Sequence, residues 1–308
     1  MSILNTLSSG HHVVDIDGIQ QSFHVTGKGP VMVVHPGGPG IHWQYLRMPL
    51  LERHFTMVYL EPIGTGGSGR LAEHPHGYTI EHFAKQLRRF LETLDISNVI
   101  LLGHSHGGFV IQEHTIGSPD RVSGMILYSS SAVTGSDFMR NASYGIQAFA
   151  DRNHADGPAV IQAWQSVPKM SSDDDYTKIM RDLLPAYFAD GVREKLDLEA
   201  FRAGINATIL IGNNEPFDAR SRLQSLSVRA LILAGDHDFI CGPKWGETLH
   251  DSLRNSELVR FAHSGHFAHL EQPEEFLTSV LAFFKADKLA PHWGLRQSQL
   301  PRGIVNSA

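Results

Sequence analysis

Residues of the kinds needed for acyl transfer follow one another in a productive order: Ser105, then a carboxylate at 236 or 238, then a histidine within 263–269. A serine oxygen attacks a carbonyl carbon only when a base removes its proton, and that base needs an acid to orient it. Gly103-His104-Ser105-His106-Gly107 has the G-x-S-x-G form of a nucleophile elbow, lying between an apolar run and a helix-compatible stretch. The chain must turn sharply there to lift the Ser105 oxygen above a sheet. Glycines two positions either side leave room for strand and helix backbones to approach. A helix opening after Ser105 aims its amides and positive end at the reacting centre.

The acid and the base come from the two strand-like runs near the end of the sequence. Leu231-Ile232-Leu233-Ala234-Gly235 leads into Asp236-His237-Asp238. Two carboxylates compete, and Asp238 is favoured because it lies where the loop has left the strand and reaches outward. His263, His266 and His269 follow the next run. His266, just after Gly265, suits the base; His263 is expected inside the strand and His269 in the following segment. Their spacing invites a metal reading, but Gly265 breaks a common helical face and no further ligand completes a set. No cofactor is implied.

An oxyanion needs two amide donors. The amide of His106, directly after the serine, is one. The other is assigned to Gly38, in the loop His35-Pro36-Gly37-Gly38-Pro39-Gly40, against the competing reading of an ordinary turn. Gly64-Thr65-Gly66-Gly67-Ser68-Gly69 matches a dinucleotide-binding pattern, yet no helix opens from it, so it reads as a structural loop. Cys241 has no elbow context and reads as a small packed residue.

These groups require a mainly parallel sheet flanked by helices, an α/β fold, and the pattern supplies one. Asp17-Gly18 predicts a hairpin turn between two strands. Apolar runs at 31–34, 56–60, 99–102, 124–128, 230–234 and 258–261 predict further strands. The clearest helix spans 79–94, with Thr79 as its N-cap and Phe83, Leu87, Phe90 and Leu91 on one face. Helices are also expected at 109–115, 244–253 and 274–285. Strand-like runs are scarce across 132–224, which predicts a helical cap inserted into a core of 1–131 and 225–288, with a loose tail at 289–308. Trp164, Tyr187, Phe188 and Phe217 could line a substrate pocket in this insertion or serve as its core.

Of 308 residues, 42% are apolar and 19% charged, the balance of a soluble globular protein. A net charge of −6 gives no electrostatic reason to expect nucleic acid or an anionic membrane as a partner. One cysteine excludes an intramolecular disulfide framework and fits a cytoplasmic setting. No secretory signal and no membrane-length apolar run are visible. The expected partner is a small-molecule or short-peptide substrate, and the sequence does not indicate an oligomeric state.

With these motifs assembled, the chain resembles the α/β-hydrolase superfamily over nearly its whole length and, within it, the proline iminopeptidase group (serine peptidase family S33). Gly37-Gly38-Pro39-Gly40 stands where that group has its Gly-Gly-Pro-Gly oxyanion loop, and Glu61-Pro62-Ile63-Gly64-Thr65-Gly66 takes the place of its Asp-Gln-Arg-Gly-x-Gly segment. Gly212-Asn213-Asn214-Glu215 resembles a Gly-Pro-Asn-Glu stretch whose glutamate holds the substrate's free amino terminus, which implies that role for Glu215. The departures are Pro36, Ile63 in place of an arginine, and Phe239 where such peptidases can carry a second amine-binding glutamate. The resemblance implies a serine hydrolase that cleaves a small amide or ester through an acyl-enzyme, as a proline iminopeptidase-like aminopeptidase does. Because an aromatic at 239 would hold an ammonium less firmly, an esterase or lactonase on an apolar small molecule is the competing reading. Non-hydrolytic chemistry on the same triad, as in a lyase or a cofactor-free peroxidase, is a rival reading, and a binding protein without turnover is a third.

Overall fold

The computed structural model describes residues 7–191, 196–213 and 215–285. Eight strands form one sheet: β1 (Gly10–Ile16), β2 (Ile19–Thr26), β3 (Val31–His35), β4 (Thr56–Leu60), β5 (Val99–His104), β6 (Val122–Tyr128), β7 (Ala230–Gly235) and β8 (Ser256–Phe261). Their order is β1-β2-β4-β3-β5-β6-β7-β8. The β1–β2 and β2–β4 pairs are antiparallel and all the others parallel. The β1–β2 turn is the expected Asp17-Gly18 pair, both residues at positive φ, with Ile16 opposite Ile19.

Ten α-helices accompany the sheet among the described residues. They are α1 (Ile80–Thr93), α2 (His106–Gly117), α3 (Ser136–Arg152), α4 (Gly157–Ser166), α5 (Asp173–Leu183), α6 (Leu198–Gly204), α7 (Arg220–Leu223), α8 (Pro243–Ser252), α9 (Ala268–Glu271) and α10 (Pro273–Lys285). Thr79 caps α1, accepting the amide of His82 at 3.2 Å, and Phe83, Leu87, Phe90 and Leu91 are buried as the spacing requires. None of the helices is long and apolar enough to cross a membrane.

The central strands are apolar throughout because both faces are covered. Met32, Tyr59, Ile100, Leu102, Ile126 and Leu233 face one cluster, which also takes side chains from α3, α4, α5 and α10. Val33, Val58, Leu101, Met125, Leu127 and Ile232 face the other, against α1, α2 and α8. Between β6 and β7 lie helices α3 to α7 and, among the described residues, no strand; two isolated bridges involve this stretch, Val133 with Asp218 and Ile41 with Ala207. The proposed tail at 289–308 lies outside the described residues.

Candidate active site

Ser105 sits between the last residue of β5 and the first of α2, in a backbone conformation (φ 52°, ψ −119°) that non-glycine residues rarely adopt. Such strain costs about 1–3 kcal/mol and persists only where surroundings over-determine it. Here the Ser105 amide donates to Tyr128 O at 2.9 Å, while its carbonyl accepts from the Gly108 amide and from Ser130 Oγ, each at 2.9 Å. The two elbow glycines are required by space. A Cβ on Gly103 would lie 2.4 Å from Gly107 O, and one on Gly107 would lie 2.1 Å from His35 O.

The loops after β7 and β8 are bound to one another, and they bring Asp238 to His266. Asp236 N donates to Phe261 O, and His237 N to Ser264 O. A Cβ on Gly235 would lie 1.9 Å from Gly265 O, so only glycine lets the loops meet. Asp238 Oδ2 accepts from His266 Nδ1 at 2.6 Å, while its Oδ1 takes the amides of Ile240 and Cys241 at 3.0 Å each. Both side chains are buried. Asp236, the competing carboxylate, is turned instead to Arg260 Nε at 2.8 Å. The Ser105 hydroxyl makes no hydrogen bond among the described residues.

The backbone amides of Gly38 and His106 likewise have no acceptor among the described residues. That of Gly37 is already donated to the Tyr45 hydroxyl at 2.7 Å. This leaves Gly38, not its neighbour, with a spare amide in the loop, and His106 with one of the orphan amides at a helix start.

One expectation is corrected: β8 ends at Phe261, so His263 lies beyond the strand and is exposed, not packed within it. The chain leaves the sheet early because Gln272 Oε1 takes the His263 amide at 2.8 Å, while Ser264 N turns back to Phe261 O. His269 is buried in α9, bonded to Tyr45 O and the Tyr128 hydroxyl. Burial pushes its pKa down to about 4.

The expected substrate-facing residues separate into two groups. Phe239 packs on Tyr187 (centroids 4.8 Å apart) and on Trp164 (5.8 Å), and Tyr187 lies 5.1 Å from the His266 ring. Phe188 packs on Phe267 next to His266. Phe217 is instead core, 5.3 Å from Phe109 of α2. Glu215 is exposed on the segment that runs from Ile211, bonded to Pro75 O, to Phe217, bonded to Thr134; Asn214 beside it lies outside the described residues. Two grooves open between insertion helices, one beside Met170 and Ile179 and one beside His154 and Ile161, and neither includes Ser105, Asp238 or His266. The Gly64–Gly69 turn is closed by its own bond, Gly64 N to Gly69 O at 2.8 Å, and no helix opens from it. Cys241 is buried with Phe138 and Trp245, and burial pushes its thiol far above the usual range.

Sequence reasoning missed three supports. Tyr45 joins the Gly37 amide to His104 Nδ1 (2.8 Å), and His104 Nε2 donates to His266 O at 3.0 Å. Burial, and next the neighbouring His266, hold His104 well below the ordinary imidazole range. Glu271 accepts the amides of Gly265, Phe267 and Ala189. The Tyr187 carbonyl accepts the His266 amide at 2.7 Å. Of these only Glu271 left a trace in the sequence, as an acid five positions after the histidine.

A family model for the alpha/beta hydrolase fold matches residues 30–273. The 2-hydroxy-6-oxo-2,4-heptadienoate hydrolase of Pseudomonas putida is 26% identical over 282 residues, covering 88% of this chain and 94% of that protein. A proline iminopeptidase of Lactobacillus acidophilus is 22% identical, covering 88% and 96%. Among solved structures, a thermophilic esterase from Thermogutta terrifontis superposes with a TM-score of 0.68 at 22% identity, covering 90% of this chain and 99% of that one. An esterase from Exiguobacterium antarcticum gives 0.66 at 20%, covering 90% and 100%. Fold, sheet order and family match agree: the chain is a hydrolase belonging to the α/β-hydrolase fold family.

Proposed function

We propose that the protein is a serine hydrolase that cleaves a small apolar ester through an acyl-enzyme. The observation that carries this reading is the buried 2.6 Å bond between His266 and Asp238 beside a serine held on a strained elbow. His266 takes the Ser105 proton as Oγ attacks the carbonyl carbon. Asp238 orients the ring and stabilises the imidazolium. The amides of Gly38 and His106 take the charge that develops on the carbonyl oxygen. His266 then gives its proton to the leaving alcohol, and water releases the acid by the same route. The helical insertion at 132–224 acts as a cap carrying part of the substrate pocket.

Two placements favour an ester over an amino-terminal peptide. Phe239, Tyr187 and Trp164 offer aromatic surface on the His266 side, while Glu215 is exposed and has no bond to the Ser105, His266 or Asp238 side chains. The net charge of −6 and the lone buried cysteine suit a cytoplasmic enzyme acting on a small molecule rather than on nucleic acid or a membrane.

The test pairs short-chain aryl esters with an N-terminal prolyl arylamide, in the native chain and in Ser105→Ala. Ester turnover that falls by about 10⁴–10⁶-fold in the variant is expected. Normal turnover by Ser105→Ala would remove the serine mechanism. Arylamide turnover lost in the variant would keep the serine but make the enzyme an aminopeptidase.

A further inference from the structure

A second cluster of chemically competent side chains lies at the antiparallel edge of the sheet and shares no residue with the Ser105 site. His11 of β1 and His24 of β2 are directly opposite one another in register. Opposed residues of an antiparallel pair bring their Cβ atoms to about 4.5–5.5 Å, a separation one small cation can bridge. The two imidazoles lie face to face, centroids 4.7 Å apart and planes inclined by 22°. The register that turns them to one face sends their neighbours His12 and Phe23 to stack as a separate pair.

The third member comes from the next strand. Glu61 follows β4, and its amide bonds Ser22 O at 3.1 Å, which brings its carboxylate alongside β2. Glu61 Oε1 lies 2.5 Å from His24 Nε2. One donor atom from each of His11, His24 and Glu61 falls within 4.8 Å of the other two.

Two of the three are already held in place. The other oxygen of Glu61 accepts the Gly67 amide, and a side chain on Gly66 would collide with that oxygen, so the turn is shaped around the carboxylate. His24 is sandwiched between His11 and Trp43, whose ring lies 4.4 Å away and stacks in turn on Tyr59 at 5.0 Å. The buried glutamate and the half-buried His24 form the floor. The exposed His11, steadied by Ser22 Oγ at 2.7 Å, forms the open side.

We propose that His11, His24 and Glu61 bind one divalent cation of the zinc class. Two imidazoles and a carboxylate suit zinc, with its fourth position left to water. Calcium and magnesium, which take oxygen ligands, are not retained by this set. The bound ion ties the outermost strand β1 to β2 and β4, so it stabilises the fold without entering the ester chemistry, because a ligand that binds only the folded state shifts the unfolding equilibrium.

The test uses the full chain, stripped with a chelator and dialysed, then titrated with zinc chloride by calorimetry and melted with and without the metal. Native protein, His11→Ala and His24→Gln are compared, since the difference between them separates this site from weak binding at other histidines. His11 is exposed, so its removal leaves the metal-free melting temperature nearly unchanged. The expected result is one zinc equivalent bound below about 10 μM in the native chain and a zinc-dependent rise in Tm. In His11→Ala the affinity for that equivalent falls by more than about 100-fold, beyond what loss of an outer partner costs. Magnesium produces no rise. Equal zinc stoichiometry and affinity in native protein and His11→Ala would overturn the site, as would no binding by the native chain at 100 times that concentration.

Discussion

The Tyr45 hydroxyl lies 2.8 Å from Nδ1 of His104, the residue before the elbow serine, and takes the Gly37 amide at 2.7 Å. His104 Nε2 faces the His266 carbonyl, which can only accept, so in the neutral ring Nδ1 carries no proton and takes that of the Tyr45 hydroxyl. The His104 proton is therefore on Nε2 and donates to His266 O. One directed chain thus ties the Gly37–Gly40 loop, the turn at Ser105 and the loop that carries His266. Tyr45→Phe keeps the ring contact with Phe267 but leaves the buried Gly37 amide unpaired. A stability loss of about 1–3 kcal/mol is expected, with kcat down by about tenfold or more and KM little changed. Denaturant unfolding and steady-state kinetics check it, and an unchanged kcat would detach this chain from catalysis.

Glu271 holds the backbone on both sides of His266 without touching its ring. One oxygen takes the amides of Gly265 and Phe267, and the other takes that of Ala189, on the segment after Tyr187. Burial pushes its carboxyl up to about 7, against the pull of the three amides. Because the folded state holds this proton more tightly than the unfolded chain, the group's contribution to stability falls as pH rises from 4.5 to about 7. In Glu271→Gln the new NH₂ faces the Ala189 amide, donor against donor, at a cost of about 1–3 kcal/mol. The gap in unfolding free energy between native protein and variant should be wider at pH 5 than at pH 8, and kcat should fall more than KM rises. A gap that widens with pH would give Glu271 an ordinary carboxylate's behaviour.

Why the sequence pointed to Ser105, Asp238 and His266 as candidates but not to Tyr45 or Glu271 has a physical reason. The elbow is local: Gly103 and Gly107 flank Ser105 two positions either side and meet each other, so their spacing is written in five letters. The strands were legible for the same reason, because Leu101 and Leu102 face opposite clusters and both must be apolar. Tyr45 and His104 are 59 positions apart and meet only because β3 lies beside β5. No periodicity marks such a pair. Phe217 was misleading in a related way: an aromatic residue in the insertion looks the same whether it faces a substrate or, as here, Phe109. The end of β8 at Phe261 was legible, but the exposed position of His263 rested on a side chain, Gln272, nine positions on.

Acid should unfold this protein steeply, and the buried histidines set the window. Burial holds His35, His114 and His269 near 4 and His106 near 3, and pushes His104 well below its ordinary value. A base whose folded pKa is depressed is protonated more readily in the unfolded chain. These five therefore support the fold fully above pH 6.5, and that support is lost as pH falls from 6.5 towards 4. At about 1.4 kcal/mol per proton per pH unit, the five together reach on the order of 7 kcal/mol per pH unit, which exceeds the opposite contribution of Glu271. Unfolding free energies at pH 7.5, 6.5, 5.5 and 4.5 should bend downward below 6.5, with about five protons taken up on unfolding. A flat profile down to pH 5 would mean that these rings already titrate in the folded protein.

Phe239 and Glu215 give the sharpest division between ester and peptide chemistry. Phe239 is buried against Tyr187 and Trp164, and Tyr187 leads directly to the His266 ring. Glu215 is exposed and bonds none of them. If the acyl group rests on this aromatic surface, Phe239→Leu should keep the fold while removing ring contact from bulky acyl groups. An apolar pocket discriminates by about 1–3 kcal/mol per lost contact of this size, so kcat/KM for a phenylacetyl ester should fall by about tenfold or more relative to an acetyl ester. Glu215→Gln should leave both esters within about twofold, as expected for an exposed side chain away from the reacting centre. The reverse pattern, in which Phe239→Leu is silent and Glu215→Gln abolishes prolyl arylamide turnover, would require the segment carrying Glu215 to close over the site and would make the amine, not the aromatic acyl group, the feature recognised.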